Sequence, residues 1–274
     1  MIDIIIKRIL KRTSLISELV AKDLKLRYLR PSLGFFWVIL SPLLAVGIYY
    51  LIFSVILKVK IKEAPFILYL MSAVFSWRFF QDSLTSSVAS LIDNRNLIRE
   101  SNFPHYLIPL SIVLASFINF LPSLCILIII ALFLQQGLPV FILCLPFVLA
   151  LHISITAGMA LLACVLYVKW RDLKYFLDAL LQILFYSTPV FYSVFLVRES
   201  FPSFWFKVYI NNPFVGILNL YRLTVFKGFY NLIKEDMGFF SLIIIPLIFG
   251  IVVLSAAFYI YKMEEKSIND YLSY

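Results

Sequence analysis

Three ionisable residues inside otherwise apolar stretches, Arg78, His152 and Asp178, are the side chains that most suggest chemistry in this sequence. Ionisable groups at membrane depth are costly and usually mark a transport pathway or a proton relay. These three are far apart, so they do not form an acid–base or metal-ligand cluster. His152 is interpreted as a hydrogen-bonded residue between helices. Asp82, four residues after Arg78, predicts a local ion pair, with a substrate contact as the alternative role of Arg78.

Nucleotide, metal and redox chemistry find no support in the residue pattern. A phosphate-binding GxxxxGK[ST] loop needs glycine directly before lysine, and each of the eight glycines is followed by Phe, Ile, Leu or Met. Cys125, Cys144 and Cys164 lack paired spacing and are interpreted as small packing residues. We therefore expect no catalytic residues, no metal site and no cofactor on this chain.

The composition indicates a membrane protein, because 62% of the residues are hydrophobic and 14% are charged. A spanning helix needs about 20 mainly apolar residues. Stretches of this kind predict an all-α protein with six transmembrane helices, placed at residues 35–57, 65–81, 106–134, 138–168, 175–197 and 239–261.

Lysine and arginine in the loops predict the orientation, because positive residues are retained in the cytoplasm. Eight of them precede the first predicted span, whereas the next loop has Lys58, Lys60 and Lys62. Both termini are therefore expected in the cytoplasm. The predicted organisation is a cytoplasmic interface segment at 1–34, a permease domain at 35–261 and a cytoplasmic tail at 262–274. Orientation explains the charge of +9 without nucleic-acid binding.

Two segments outside the spans are also apolar. Residues 2–10 and 14–24 carry apolar residues at helical spacing beside cations, which predicts an amphipathic helix at the membrane interface. Residues 198–230 consist of apolar pieces too short to span, separated at Asn211, Asn212 and Pro213. Asn212 as N-cap and Pro213 at the first helical position predict two half-helices in a re-entrant hairpin on the outer side.

Several motifs, in the same order along the chain, resemble one family. DLKLRYLRPSLGFFWVILSP at 23–42 is similar to the segment entering the first helix of ABC-type polysaccharide export permeases, which serve O-antigen, capsule and teichoic acid export. NRNLIRESNFP at 94–104 resembles their coupling helix, and WRDLKYFLDALLQILFYSTPVFY at 170–192 their fourth-to-fifth helix segment. INNPF at 210–214 resembles the start of their re-entrant segment.

The resemblance implies a homodimer in the bacterial inner membrane, paired with two nucleotide-binding subunits that hold ATP and Mg²⁺. Residues expected at the gate or interface are Arg27, Tyr28, Ser32, Gly34 and Trp37. Residues expected to couple to the partner ATPase are Asn96, Leu97, Ile98, Arg99, Glu100, Phe103 and Pro104.

Aromatic residues make up 17% of the chain and suggest a sugar polymer as substrate, because ring faces stack on sugars without a fixed hydrogen-bond pattern. Ordinary aromatic belts at the membrane interfaces are the alternative. Together with Arg78, the residues expected along a pathway for lipid-linked polysaccharide are Tyr49, Phe53, Phe75, Trp77, Tyr186, Tyr192, Trp205 and Tyr209.

Other functions remain open at this level. They are a lipid- or drug-exporting permease of the same superfamily, a gradient-driven flippase of lipid-linked glycans, and a membrane enzyme acting on lipid-linked sugars. The lack of buried carboxylates disfavours the flippase, and the lack of catalytic clusters disfavours the enzyme.

Overall fold

The computed structural model describes residues 2–28, 36–59, 61, 65–100 and 104–273, and every regular element in these ranges is a helix. The α-helices are α1 (Ile2–Tyr28), α2 (Phe36–Tyr50), α3 (Phe66–Ser87), α4 (Ser90–Asp93), α5 (Arg95–Glu100), α6 (Leu107–Gln135), α7 (Leu145–Lys169), α8 (Leu173–Ser187), α9 (Val194–Ser200), α10 (Ser203–Ile210), α11 (Pro213–Val225), α12 (Phe229–Ile233) and α13 (Ile245–Ser273). Short π-helical segments, Leu51–Ile56 and Phe240–Ile244, follow α2 and precede α13, and a 3₁₀ segment, Val140–Cys144, precedes α7.

Four helical segments in the described ranges are long and apolar enough to cross a membrane: Phe36–Ile56, Leu107–Gln135, Val140–Lys169 and Phe240–Glu265. They match the first, third, fourth and sixth predicted spans, which confirms the all-α membrane class. The second predicted span corresponds to α3, which is less apolar because it carries Arg78 and Asp82. Six crossings therefore remain a prediction.

The fifth predicted span is wrong as one continuous helix. The first part, α8, has 15 residues and ends at Ser187. Thr188 is extended, with φ −102° and ψ 158°, because a residue before proline is pushed away from helical geometry. The chain becomes helical again in α9, where the Ser193 hydroxyl accepts the Leu196 N–H at 3.3 Å. The break frees backbone carbonyl groups next to Pro189.

Helices α3 and α11 form the centre of the molecule. Residues 68–77 of α3 are consecutively buried, as are residues 214–225 of α11. Burial of every face in these stretches means that other elements of the protein, and not lipid, surround them. The predicted start of α11 is confirmed, because the Asn212 side chain accepts the Phe214 N–H at 3.0 Å and Pro213 occupies the first turn. Helices α10 and α11 occupy the stretch predicted as two half-helices, and the re-entrant hairpin remains a prediction.

Close approach of α7 and α13 closes one side of the bundle. A methyl group added at Gly158 would lie 2.9 Å from the backbone nitrogen of Leu254. Small residues allow such contact between membrane helices. Helix α13 continues to Ser273, so the predicted cytoplasmic tail extends the last helix.

The N-terminal segment forms one helix, α1, whose second half lies against α6. The two amphipathic pieces predicted from the sequence are therefore one element. Lys22 donates a hydrogen bond to Asn94 at 3.0 Å, which ties α1 to the segment that leads into α5.

Candidate functional site

A polar cavity of about 340 Å³ lies where α1, α2, α3 and α6 meet. The wall contains three charged residues, four hydroxyl- or amide-bearing residues and four aromatic rings, with two further apolar residues. These lining residues are Arg27, Arg78, Asp82, Ser41, Ser116, Ser123, Asn119, Trp37, Phe75, Phe79, Phe120, Val38 and Pro42.

Arg27 stands at one end of this cavity, in the last turn of α1. The guanidinium forms an ion pair with Asp23 at 2.7 Å, four residues earlier on the same helix. One guanidinium nitrogen also donates to the Ser116 hydroxyl of α6 at 3.4 Å. Arg27 therefore connects α1 to α6 at the rim of the cavity.

Arg78 contributes the second positive charge of the cavity. The predicted ion pair with Asp82 is wrong, since no salt bridge within 4 Å joins these two residues of α3. One guanidinium nitrogen of Arg78 is buried without a hydrogen-bond partner among the described residues. A buried polar atom without a partner is costly, and a ligand that accepts its hydrogen bond removes that cost. This geometry favours the substrate contact over the ion pair.

The remaining gate residues are placed unevenly. Trp37 lines the cavity beside Arg27. Tyr28 is the last residue of α1. Ser32 and Gly34 lie outside the described residues. The cavity thus brings together two of the five expected gate residues and two of the expected pathway residues, Phe75 and Arg78.

Trp77 lines neither the polar cavity nor the groove between α8, α9 and α10. The ring is 3% exposed and packs against Phe80, Phe185 and Phe214, at centroid distances of 5.4, 5.6 and 5.9 Å. The expected pathway contact of Trp77 is therefore wrong. The positions of these residues around α3 explain why Trp77 is not in the cavity. Phe75 and Arg78 lie on the face toward the cavity, whereas Trp77 lies on the face toward α8 and α11.

Four other expected pathway residues line a second space, an aromatic groove of about 560 Å³ between the end of α8, α9 and α10. They are Tyr186, Tyr192, Trp205 and Tyr209. Tyr49 and Phe53 lie nearby and are half-buried. Their rings contact Phe191, with centroids 4.9 and 4.4 Å away. The expected pathway is therefore divided between the polar cavity and this aromatic groove.

Part of the expected coupling segment is helical, because α5 covers Arg95–Glu100. Asn96 is exposed and Leu97 is half-buried. Ile98 is 7% exposed and belongs to a cluster with Leu91 of α4 and Ile268 of α13. The expectation that Ile98 faces a partner is therefore wrong, because its side chain holds α5 against its own chain.

The other coupling residues lie at the end of α5 and beyond it. Arg99 and Glu100 are the last residues of α5. Pro104 is half-buried, and Phe103 lies outside the described residues. Among the described side chains of this segment, Asn96 is exposed, and Leu97 and Pro104 are half-buried.

Arg222 is the residue that sequence reasoning missed. The guanidinium is 0% exposed, lies 3.4 Å over the Tyr69 ring, and donates to Asn219 at 3.1 Å and to the Pro189 carbonyl. It therefore fixes the break after α8 onto α3 and α11. Assignment of residues 198–230 to an outer hairpin hid this role. One arginine in a stretch apolar on every helical face was the available signal.

The other ionisable residues of the apolar stretches have simpler roles. His152 contacts the Tyr221 hydroxyl through Nδ1 at 3.0 Å, which confirms a hydrogen bond between helices. Asp178 is exposed on α8. Within the described residues, no group of His, Cys, Asp and Glu is arranged to hold a metal ion.

Comparison with known proteins places this chain in a family. The model of the ABC-2 type transporter family matches residues 14–226, which include the polar cavity, α5 and all of α11. The chain is an ABC-2 type transporter. It is therefore a membrane subunit of a transporter and a multi-pass membrane protein.

Relatives of this ABC-2 type transporter carry a more specific description. Two O-antigen export system permease proteins RfbA from Klebsiella pneumoniae are 30% and 32% identical to it. The first match covers 83% of this chain and 86% of the relative, and the second covers 77% and 79%. An RfbA protein from Myxococcus xanthus is 26% identical over 81% of this chain and 84% of its own length.

Proposed function

We propose that this ABC-2 type transporter exports an O-antigen-like polysaccharide across the bacterial inner membrane. The names of the relatives from Klebsiella pneumoniae and Myxococcus xanthus support this activity. The polar cavity is the observation that links this activity to a site. Arg78 has there a buried guanidinium nitrogen without a partner among the described residues.

The chemistry of the cavity suits a lipid-linked sugar. Arg27 and Arg78 complement the negative charge of a phosphate linkage. Serine hydroxyls and the Asn119 amide offer hydrogen bonds to sugar hydroxyls, and Phe75 and Trp37 offer ring faces to sugars. We therefore propose that the linkage between the lipid and the first sugars occupies this cavity during export.

Two copies of the chain form the proposed transporter. Helix α8 exposes a stripe at helical spacing that combines Tyr175, Ile183 and Tyr186 with polar Asp178 and Gln182. Polar side chains are costly on a lipid-facing surface, so this stripe belongs beside a second copy or a water-filled path. A homodimer with α8 near its axis places a second copy of the chain and a water-filled path beside this stripe.

Two nucleotide-binding subunits complete the proposed complex and supply ATP and Mg²⁺. Helix α5, held by Ile98, presents Asn96 and Leu97 to them. The proposed topology has six crossings, with both termini in the cytoplasm. Residues 1–34 form the interface segment, 35–261 the permease domain with a re-entrant hairpin at about 198–230, and 262–274 the cytoplasmic tail.

The test replaces Arg78 by glutamine in cells whose surface polysaccharide depends on this chain and its ATPase. We expect about a tenfold or greater loss of surface polysaccharide, since a hydrogen bond to a charged group contributes about 1.5–3 kcal/mol. The amount of chain in the membrane is measured beside it. Lys234→Gln is the control, because Lys234 is an exposed cation outside the cavity. Wild-type export by the Arg78 variant would contradict the proposed role of the cavity.

A further inference from the structure

A second groove, separate from the polar cavity, runs between α1 and α6. Its volume is about 530 Å³, and the side chains around it are apolar apart from Thr13 and Ser17. Its other lining residues are Ile16, Val20, Ala21, Leu24, Leu114, Phe117 and Ile118. None of them was assigned to the gate, the coupling segment or the pathway.

The α6 wall of this α1–α6 groove belongs to a helix that is long and apolar enough to span a membrane. Its α6 residues lie 7 to 11 positions after the start of that helix at Leu107, or about 10–16 Å along the axis. Ile118, at the side of the groove, is 40% exposed. It belongs to an exposed apolar face of α6 that also includes Leu121 and Ile129. In a spanning helix such an apolar exposed face contacts lipid, so a hydrocarbon chain reaches the groove directly from the bilayer.

The positive charge of α1 favours an anionic lipid headgroup. This helix has seven lysines and arginines against three carboxylates. Lys25 is exposed one residue after Leu24, the last α1 residue of the groove. A cationic amphipathic helix at the cytoplasmic surface is attracted to anionic lipids.

We propose that the α1–α6 groove binds one acyl chain of an anionic phospholipid from the cytoplasmic leaflet, with its phosphate beside Lys25 of α1. The choice of leaflet rests on the proposed orientation, but the site is independent of the exported substrate. Because Lys22 bonds to Asn94 immediately before α5, a lipid that fixes α1 also fixes the segment presented to the ATPase.

The test measures lipids retained by the purified chain, using native mass spectrometry after exposure to dioleoyl phosphatidylglycerol or dioleoyl phosphatidylcholine. Ala21→Trp fills the groove from an exposed position, so it does not overfill the core. We expect this variant to retain phosphatidylglycerol about tenfold less well, since each acyl methylene excluded from the groove weakens binding roughly fourfold. Ala150→Trp, at an exposed alanine of α7, is the control and should retain it normally.

Several outcomes would overturn the site. These are unchanged retention in the Ala21→Trp protein, an equal loss in the Ala150→Trp protein, or equal retention of the two phospholipids by the wild type. Preferential retention of a polyprenyl phosphate in a parallel sample would assign the groove to the substrate's carrier instead. If the tryptophan variant elutes as aggregate, Ala21→Leu is compared by the same measurement, and unchanged retention there overturns the site equally.

Discussion

Replacing Asn219 by leucine tests the buried contacts of Arg222. The Asn219 amide oxygen accepts a hydrogen bond from the Arg222 guanidinium at 3.1 Å, and both side chains are 0% exposed. Leucine has nearly the same size as asparagine but cannot accept this bond. The variant therefore leaves part of a buried positive charge without its acceptor, while the Tyr69 ring and the Pro189 carbonyl stay in place.

The expected loss of stability is about 2–3 kcal/mol, the contribution of one hydrogen bond to a charged group together with the cost of leaving it unmade. The amide nitrogen of Asn219 also donates to the Val215 carbonyl, which keeps its helical partner, so this second bond adds little. For a chain of this size the melting temperature should fall by roughly 4–12 °C.

The measurement is thermal unfolding of the purified chain in detergent, with Asn231→Leu as the control because Asn231 is exposed in α12. The control should change stability by about 0.5 kcal/mol or less. The double variant Asn219→Leu with Arg222→Met removes the charge that lacked an acceptor, so the two effects should be non-additive by about 1.5 kcal/mol or more. Additive effects, or an Asn219 variant as stable as the wild type, would refute the role assigned to Arg222.

Three further predictions concern the cytoplasmic side and the topology. Ile98→Ala should lower both the melting temperature and co-purification of the ATPase, because Ile98 holds α5 in place, whereas Asn96→Ala should lower co-purification alone. Equal melting temperatures of these two variants would contradict the anchoring role. Burial lowers the pKa of His105 below its ordinary 6.5, so the unfolded chain binds the proton more readily and stability should fall as the pH drops through about 6.5. Melting temperatures at about pH 7.5 and 5.5 check this, and His105→Gln should reduce the difference. In a background without native cysteines, a cysteine that replaces Lys58 should react with an impermeant maleimide from the periplasm. A cysteine that replaces Lys174 should react only after the membrane is opened. The reverse pattern of labelling would overturn the proposed orientation.

Local chemistry explains why much of the helical framework could be predicted. The start of α11 follows from Asn212 and Pro213, whose side chains satisfy or remove amide donors regardless of their surroundings. The break after α8 was equally local, because Thr188 precedes a proline, yet the continuous apolar run around it favoured a single span. Hydropathy reports the solvent of a segment, whereas backbone geometry at Pro189 decides whether the helix continues.

Candidate sites were predicted less completely, because side-chain direction depends on packing. Phe75, Trp77 and Arg78 are neighbours on α3, and one-residue steps of about 100° send them to different surroundings. Phe75 and Arg78 line the cavity, whereas Trp77 packs against Phe185 and Phe214 and does not line it. The sequence showed that aromatic and cationic residues were present, but no spacing rule showed which of them share a wall.

The sequence by itself determined the membrane class, four of the apolar spans and the start of α11, because these depend on hydropathy and on hydrogen bonds between close neighbours in the chain. Tertiary structure decided that Arg222 is buried over Tyr69, that Ile98 anchors α5, and that Arg27 meets Arg78 in one cavity. The physical reason is distance along the chain. Arg27 and Ser116 are 89 residues apart, and helix packing alone brings their side chains within a hydrogen bond.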